Sequence, residues 1–340
     1  MAAFPRRVRE ARSAPRAESE VPVRYGVTIP FDGIPLGQQR AAFEELEARG
    51  YTDLWTSEAG GTDGFTPLAL ASQWAPSLRL GCAIFPVFTR GPALLAMSVA
   101  SLCQAAPGRV VVGLGASSNV IVEHWNGIPY EKPYQRTRDT ALFLREALRG
   151  EKVTHDYETF RVKNFRLGVA VSEPPKILIA ALRSGMLGLA GRVGDGAILN
   201  WLSADDVRRV VPIVKKHGAD KEVVARLFVC PNPDAEKVRA MGRMAVNAYL
   251  NVPVYRAFHE WLGREALLSG MWERWGAGDR KGAAAAIPDR VVDDLIIHGS
   301  PEQCREHIAR YVEAGVDTPV LALLPLAIDP LRAARELAPR

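Results

Sequence analysis

Short apolar runs recur along the chain, and segments with helical spacing separate most of them. Eight runs have the length and apolar content of buried strands: residues 23–29, 52–56, 78–85, 109–113, 176–181, 197–201, 223–230 and 317–323. Buried strands connected through helices are typical of a parallel sheet with right-handed crossovers. Eight such units fit an α/β fold of the (β/α)8 TIM barrel type, in which the chemistry takes place at the C-terminal ends of the strands.

One strand-turn-helix-turn-strand unit, residues 176–201, carries a candidate anion site in its first turn. Ser184 can cap the helix with its hydroxyl, and Gly185 leaves backbone N–H groups of the first turn open to a ligand. A phosphate fits such a turn because the N-terminus of a helix attracts negative charge. The alternative is an ordinary capped helix that binds nothing, and this unit by itself favours that alternative.

Three segments interrupt the regular pattern and are interpreted as insertions in a single barrel domain over residues 23–340. They are an irregular loop near residues 117–133, a surface hairpin near 151–168, and an aromatic-rich helical insertion near 252–283. The helical insertion could close over a flat cofactor or form a subunit interface, although aromatics at helical spacing more often belong to a core. Residues 1–22 are interpreted as a disordered basic leader.

Composition narrows the function classes. The chain has 340 residues, 48% of them apolar, and a formal charge of +5 that comes partly from arginines in residues 1–22. This net charge does not indicate binding to nucleic acid or to a membrane surface. No apolar run reaches membrane-spanning length. The four cysteines are dispersed and indicate buried thiols in a reducing cytoplasm. The six histidines show no HxH or HExxH spacing, so we expect no metal site.

Candidate chemistry remains in a few polar residues. Glu58 follows the second strand and is the best-placed carboxylate for acid/base work, with a simple rim pair to Arg90 as the alternative. His124 could be a proton donor in the irregular loop, or a solvated loop residue. The glycines Gly113 and Gly115 follow the fourth strand rather than the first, which argues against a dinucleotide fingerprint and for a close backbone approach.

Several short motifs occur together in one order. They are Asp53-Leu-Trp-Thr-Ser-Glu58, Phe65-Thr-Pro-Leu68, Leu80-Gly-Cys-Ala-Ile84, Arg90-Gly-Pro-Ala93, Gly108-Arg-Val-Val-Val-Gly-Leu-Gly-Ala116 and Asp195-Gly-Ala-Ile-Leu-Asn200. In this order and spacing they resemble the bacterial luciferase-like flavin and deazaflavin superfamily, over about residues 23–323. These motifs are most similar to those of the branch that uses the deazaflavin coenzyme F-420.

The resemblance implies how a cofactor would lie. Members often have a non-prolyl cis peptide at the end of the third strand, against which the ring packs, and the matching bond joins Ala83 to Ile84. Where relatives often have a glycine after a pair of alanines, which here are Ala180 and Ala181, this chain has Leu182-Arg183. Arg183 could contact the phosphate or acidic tail of the coenzyme, or it could crowd the site and imply a changed cofactor. The implied cofactor-binding residues are Asp32, Glu58, Ala83, Ile84, Gly113, Gly115, Ala116, Ala181, Arg183, Ser184, Gly185 and Met186.

The resemblance also implies the chemistry. An enzyme of this branch is an oxidoreductase that transfers hydride between coenzyme F-420 and a small organic substrate, with Glu58 or His124 as the proton donor or acceptor. Reduced FMN with oxygen would instead give a monooxygenase, and a non-catalytic cofactor-binding barrel is a third possibility. The family tendency is a homodimer, for which the helices around Phe43 and Leu70 could supply the interface.

Overall fold

The computed structural model describes residues 23–325 and 328–339, so the interpreted leader over residues 1–22 lies outside the described residues. In chain order the strands are β1 (Gly26–Thr28), β2 (Asp53–Thr56), β3 (Arg79–Cys82), β4 (Phe85–Pro86), β5 (Val110–Gly115), β6 (Val153–Asp156), β7 (Arg161–Phe165), β8 (Lys176–Ala180), β9 (Gly196–Asn200), β10 (Glu222–Cys230), β11 (Ile296–His298) and β12 (Thr318–Leu323).

The helices surround the strands or lie in the insertions. They are α1 (Arg40–Ala48), α2 (Phe65–Trp74), α3 (Pro92–Ala105), α4 (Pro133–Leu148), α5 (Ser184–Val193), α6 (Ala204–Lys215), α7 (Ala235–Leu250), α8 (Pro253–Trp261), α9 (Glu265–Gly276), α10 (Arg280–Ala285), α11 (Asp289–Leu295), α12 (Pro301–Glu313) and α13 (Pro330–Glu336). No helix within the described ranges is both long and apolar enough to span a bilayer.

Eight parallel strands close into a barrel, which confirms the predicted fold class. Their order around the barrel is β1, β2, β3, β5, β8, β9, β10 and β12, and β12 pairs again with β1. The register places Gly26 beside Val320 at the closure, and Arg226 of β10 beside Asn200 of β9. Because the strands are parallel, their C-terminal ends all meet at one mouth.

The barrel interior has a tryptophan between an ionic layer and the open mouth. Trp55 is fully buried, and glycines make room for it: a Cβ on Gly81 would lie 2.5 Å from its Cε3 atom. Arg79, at the first position of β3, lies 5.9 Å from the centre of the Trp55 ring and pairs with Asp53 and Glu222. Trp55 therefore separates the charged N-terminal end of the barrel from the C-terminal end.

The third predicted strand, residues 78–85, is divided in the structure. β3 ends at Cys82, the peptide bond between Ala83 and Ile84 is cis, and β4 begins at Phe85. The cis bond occurs where the family resemblance implied it. A further short strand, β11, was not predicted: it directly follows α11 and pairs with the end of β10.

The interrupting segments have regular structure of their own. A π-helix, Val120–Trp125, lies within residues 117–133 in place of a loop that is irregular throughout. The strands β6 and β7 form an antiparallel pair within residues 151–168, and α8, α9 and α10 lie within residues 252–283. The π-helix directly follows β5, whereas the hairpin follows α4 and the three helices follow α7.

The interface suggested for the helices around Phe43 and Leu70 stays a prediction. The Phe43 side chain is completely buried in the core of its own chain, so of these two residues only the half-buried Leu70 could contact a second subunit. Exposed apolar side chains occur on α3, where Leu94 and Met97 are 53% and 47% exposed. The homodimer itself stays a prediction.

Candidate functional site

A cavity of about 630 Å³ lies at the C-terminal mouth of the barrel. Residues that follow β2, β5 and β8 form one part of its lining, and residues 249–261 of α7 and α8 form another. The helical insertion therefore contributes a side of the cavity. The cavity is closed below by strand residues of the barrel interior, including Ile198 and Ala180.

One wall of the cavity is apolar and nearly free of protruding side chains. It contains Ala83 and Ile84 at the cis bond, together with Gly115 and Ala180. A Cβ on Gly115 would lie only 3.0 Å from Ile84 Cγ1 and 3.1 Å from Ala180 Cβ. Gly115 thus lets the strand ends approach each other, and the resulting surface suits a flat ring.

An ion pair stands beside this wall. The Glu58 carboxylate accepts a 2.8 Å hydrogen bond from the Gly64 N–H and a 2.5 Å hydrogen bond from Arg90 Nη2. Burial lowers the pKa of Arg90, but the hydrogen bond and charge of Glu58 outweigh this effect and the pKa is raised. The pairing with Arg90, which was the alternative role for Glu58, is present, and the side chain still lines the cavity with 13% of its surface exposed.

The first turn of α5 opens into the same cavity. The N-cap residue is Arg183, no side chain caps the helix, and Ser184 is the first helical residue. The expectation that the Ser184 hydroxyl caps the helix is therefore wrong. Since the first N–H groups of a helix have no intrahelical acceptor, this turn offers free donors to a ligand. A Cβ on Gly185 would meet no atom within 4 Å, so the space above the turn is open.

A polar group occupies the mouth on the side of β9 and β10. Arg226 lines the cavity and lies 5.1 Å from the centre of the Phe228 ring. Asn200, its neighbour on β9, donates a 3.2 Å hydrogen bond to the hydroxyl of Tyr255. Burial raises the pKa of Tyr255 to about 12, although the bond from Asn200 opposes this. This side of the cavity therefore combines one cation with neutral hydrogen-bonding groups.

The geometry can be compared with known proteins. The family model of the luciferase-like monooxygenases matches residues 11–318, which is most of the chain. The chain belongs to this family. Membership confirms the predicted superfamily, and with it the prediction that the protein is an enzyme of the luciferase-like family. A sequence relative is the 5,10-methylenetetrahydromethanopterin reductase of Methanolobus tindarius, with 27% identity over 291 residues, covering 82% of this chain and 88% of the relative.

Solved structures share the fold of this luciferase-like chain. The coenzyme F-420-dependent tetrahydromethanopterin reductase of Methanopyrus kandleri has a TM-score of 0.78 at 18% identity, covering 93% of this chain and 97% of that one. The oxygenating constituent of the 3,6-diketocamphane monooxygenase of Pseudomonas putida, in complex with FMN, has a TM-score of 0.64 at 16% identity, with coverage of 93% and 97%. At these identities the likeness establishes the barrel.

Most of the residues proposed from the sequence of this luciferase-like protein lie around the one cavity. Those in its lining are Glu58, Ala83, Ile84, Gly115, Ala116, Ala181, Arg183, Ser184, Gly185 and Met186. They come from four separate parts of the chain, which the barrel brings to one mouth. This placement is what a shared ligand requires.

Three proposed residues lie elsewhere. Gly113 lies behind the wall, where a Cβ would collide with the carbonyl oxygen of Cys82, so the glycine serves strand packing. Asp32 lines a second cavity of about 450 Å³ beside the end of β1. His124 is exposed on the π-helix and is not part of the main lining. Across residues 23–325 and 328–339, no group of three or more His, Cys, Asp or Glu side chains could hold a metal ion.

The sequence interpretation did not single out Arg226, Asn200 or the tyrosines of α7 and α8. A signal for Arg226 was available, because it is the one charged residue between Val223 and Cys230, in a run otherwise suited to burial. An arginine in such a strand needs either a partner or access to a cavity. No comparable signal marked Asn200, which ends a strand as many asparagines do.

Proposed function

We propose that the chain is an oxidoreductase that transfers hydride between coenzyme F-420 and a small organic substrate. The observation that carries the proposal is the open N-terminus of α5 in the same cavity as the flat apolar wall at Ala83–Ile84. A phosphate-bearing cofactor with a planar ring needs both features together. The structure from Methanopyrus kandleri, a coenzyme F-420-dependent reductase, supports the choice of coenzyme F-420.

The donor set fits the coenzyme at its two ends. The first-turn N–H groups of Ser184, Gly185 and Met186 would hold the phosphate, and the exposed Arg183 would meet the acidic tail. Ala83, Ile84 and Gly115 would support the ring, as no side chain projects there from Gly115. Arg183, which departs from the family pattern, thus adds a positive charge where the acidic tail of the coenzyme would carry negative charge.

When bound, the deazaflavin supplies the carbon from which hydride leaves or to which it returns. The protein supplies position and proton handling. Tyr130 donates a 3.1 Å hydrogen bond to the Ser117 carbonyl and so holds together two parts of the segment after β5 that line the cavity. The Glu58 carboxylate is held in place by Arg90 and lines the cavity, so it is the candidate proton donor or acceptor.

A reduced-FMN-dependent monooxygenase is the second candidate. The fold similarity to the FMN complex from Pseudomonas putida favours it, since FMN also needs a ring-supporting wall and a phosphate site. FMN lacks the acidic tail that Arg183 would attract. Of the two cofactors, only coenzyme F-420 would therefore use the positive charge of Arg183 on the exposed side of the α5 turn.

The first experiment is a pair of titrations of the purified protein, one with oxidised coenzyme F-420 and one with FMN, each followed by fluorescence of the chromophore. We expect coenzyme F-420 to bind about fivefold more tightly than FMN, because an added ion pair at the exposed Arg183 contributes on the order of 1 kcal/mol. Preference for FMN would replace the proposal with the monooxygenase. Binding of neither would overturn both.

The role of Glu58 is tested by comparing Glu58→Gln with Arg90→Gln, using a substrate identified by screening with the bound coenzyme. If Glu58 moves a proton, Glu58→Gln should lower turnover by about a hundredfold and leave coenzyme affinity within about tenfold. Arg90→Gln breaks the same ion pair but keeps the carboxylate, so it should lower turnover much less. Equal losses in the two variants would assign Glu58 a purely structural role.

A further inference from the structure

Arg226 lies at the boundary between the two cavities of the mouth. It is the fifth residue of β10 and faces the barrel interior beside Asn200. It contributes to the lining of the main cavity and also to that of the second cavity near β1. The stacking on Phe228 keeps the planar guanidinium in place. A ligand in either cavity can therefore reach this side chain.

Within residues 23–325 and 328–339, the Arg226 guanidinium has no anionic partner. Among the described residues no carboxylate forms an ion pair with Arg226, although arginines at the opposite end of the barrel, such as Arg79, have them. Its Nε is buried and has no hydrogen-bond partner. Two oxygens of the strand ends, Asn200 Oδ1 and Thr28 Oγ1, are also buried without partners. Asn200 lines the main cavity and Thr28 the second one, and Arg226 borders both. Because unsatisfied buried polar groups are costly, the orphaned donor of Arg226 indicates a polar ligand at this boundary.

We propose that Arg226 binds the carboxylate of an organic substrate, an inference that rests on the proposed oxidoreductase function. A guanidinium remains charged in proteins and offers parallel N–H donors that match a carboxylate. A single cation suits a monoanion better than a phosphate dianion. The neighbouring Asn200, Tyr249 and Tyr255 offer amide and hydroxyl groups rather than further charge.

The position of Arg226 separates it from the cofactor phosphate. The α5 turn follows β8, whereas Arg226 lies on β10, and β9 stands between these strands. Two strand spacings amount to roughly 10 Å. One anion at the α5 turn and a second at Arg226 can therefore be bound together, and the apolar wall lies between β3 and β8 on the side of the turn.

The test uses simple carboxylates and their neutral twins: hexanoate against hexanamide, and benzoate against benzamide. Ligand-observed NMR on the wild-type protein should detect binding of at least one acid, with the matching amide at least about tenfold weaker. Arg226→Gln should lose at least tenfold in affinity for that acid, and Arg226→Lys should lose less. Arg208→Gln, which removes the same charge from a surface pair with Asp205, should change nothing.

Three results would overturn the proposal: neither acid binds, an amide binds as well as its acid, or Arg226→Gln binds the acid as tightly as wild type. Titration of Arg226→Gln with coenzyme F-420 distinguishes a failure of this proposal from a failure of the proposed oxidoreductase function. We expect the dissociation constant to stay within about threefold, whereas a large loss would move Arg226 into the cofactor site. If Arg226→Gln fails to fold, the comparison of acid with amide and the Arg226→Lys variant still decide the question.

Discussion

Replacing Gly185 by aspartate should weaken the binding of coenzyme F-420 by about a hundredfold and leave the protein folded. A Cβ at this position would have no atom within 4 Å, so a side chain fits without displacing the structure. The new carboxylate would lie in the first turn of α5, where the phosphate is expected, and a like-charge juxtaposition costs several kcal/mol. The measurement is a fluorescence titration of wild type and variant at the same ionic strength.

The matched control is Gly185→Asn, which fills almost the same volume without the charge. It should weaken binding far less than aspartate does. Aspartate in the first turn of a helix interacts favourably with the helix dipole, so the melting temperature of Gly185→Asp without coenzyme should not fall below that of Gly185→Asn. Equal affinity losses for the two variants would point to steric exclusion, and unchanged affinity in both would show that the phosphate binds elsewhere.

Replacing Arg79 by methionine should lower the free energy of unfolding by about 3 kcal/mol, because Asp53 and Glu222 lose their shared buried partner. Among the described residues, the cationic partners that they keep are Arg24 and Lys176, whose side chains are 38% and 52% exposed. Arg79 Nη2 lies 2.6 Å from Glu222 Oε1, Nε is bonded to Asp53, and only 11% of the arginine side chain is exposed. Urea unfolding followed by circular dichroism measures the loss. The control Arg40→Met disrupts an exposed pair with Glu44 and should cost no more than about 1 kcal/mol.

Acid should reduce the difference between Arg79→Met and wild type. Burial alone would raise the pKa of Glu222, but the hydrogen bonds and charges of Arg79 and Lys176 lower it from 4.5 to about 2. A lowered pKa stabilises the folded protein above pH 4.5, and this contribution is lost as the pH falls towards 2. The two unfolding free energies should therefore converge over that interval. A constant difference would show that Arg79 acts mainly through packing against Trp55.

The barrel could be predicted because each of its strands is a short apolar run next to a helix with a buried stripe. Such runs do not reveal the register between neighbouring strands. A strand without a recognisable sequence pattern cannot be predicted either. β11 has three residues and follows α11 without a glycine or proline between them, so nothing in the sequence separates it from the helix. The π-helix after β5 was missed because a single wide turn has no periodicity to detect.

The parts of the candidate site that depend on backbone geometry could be predicted from the sequence. The turn before α5 and the cis bond at Ala83–Ile84 could be located because short motifs mark them. Side-chain partners depend on which strands become neighbours. Arg226 and Asn200 are adjacent only because β9 pairs with β10, and Glu58 meets Arg90 across a loop. The helical cap at Ser184 was wrong by one residue, because Arg183 still has extended backbone.

The closure of β1 against β12 has a consequence for synthesis. Gly26 pairs with Val320, and the Tyr51 hydroxyl donates a 2.8 Å hydrogen bond to the Ala334 carbonyl, so the first part of the barrel is completed by the last. Until β12 leaves the ribosome, β1 and the edge of β10 over Val224–Val229 lack a neighbouring strand and expose backbone groups. Closure therefore follows translation, and the nascent chain must be protected from aggregation while its edges are open.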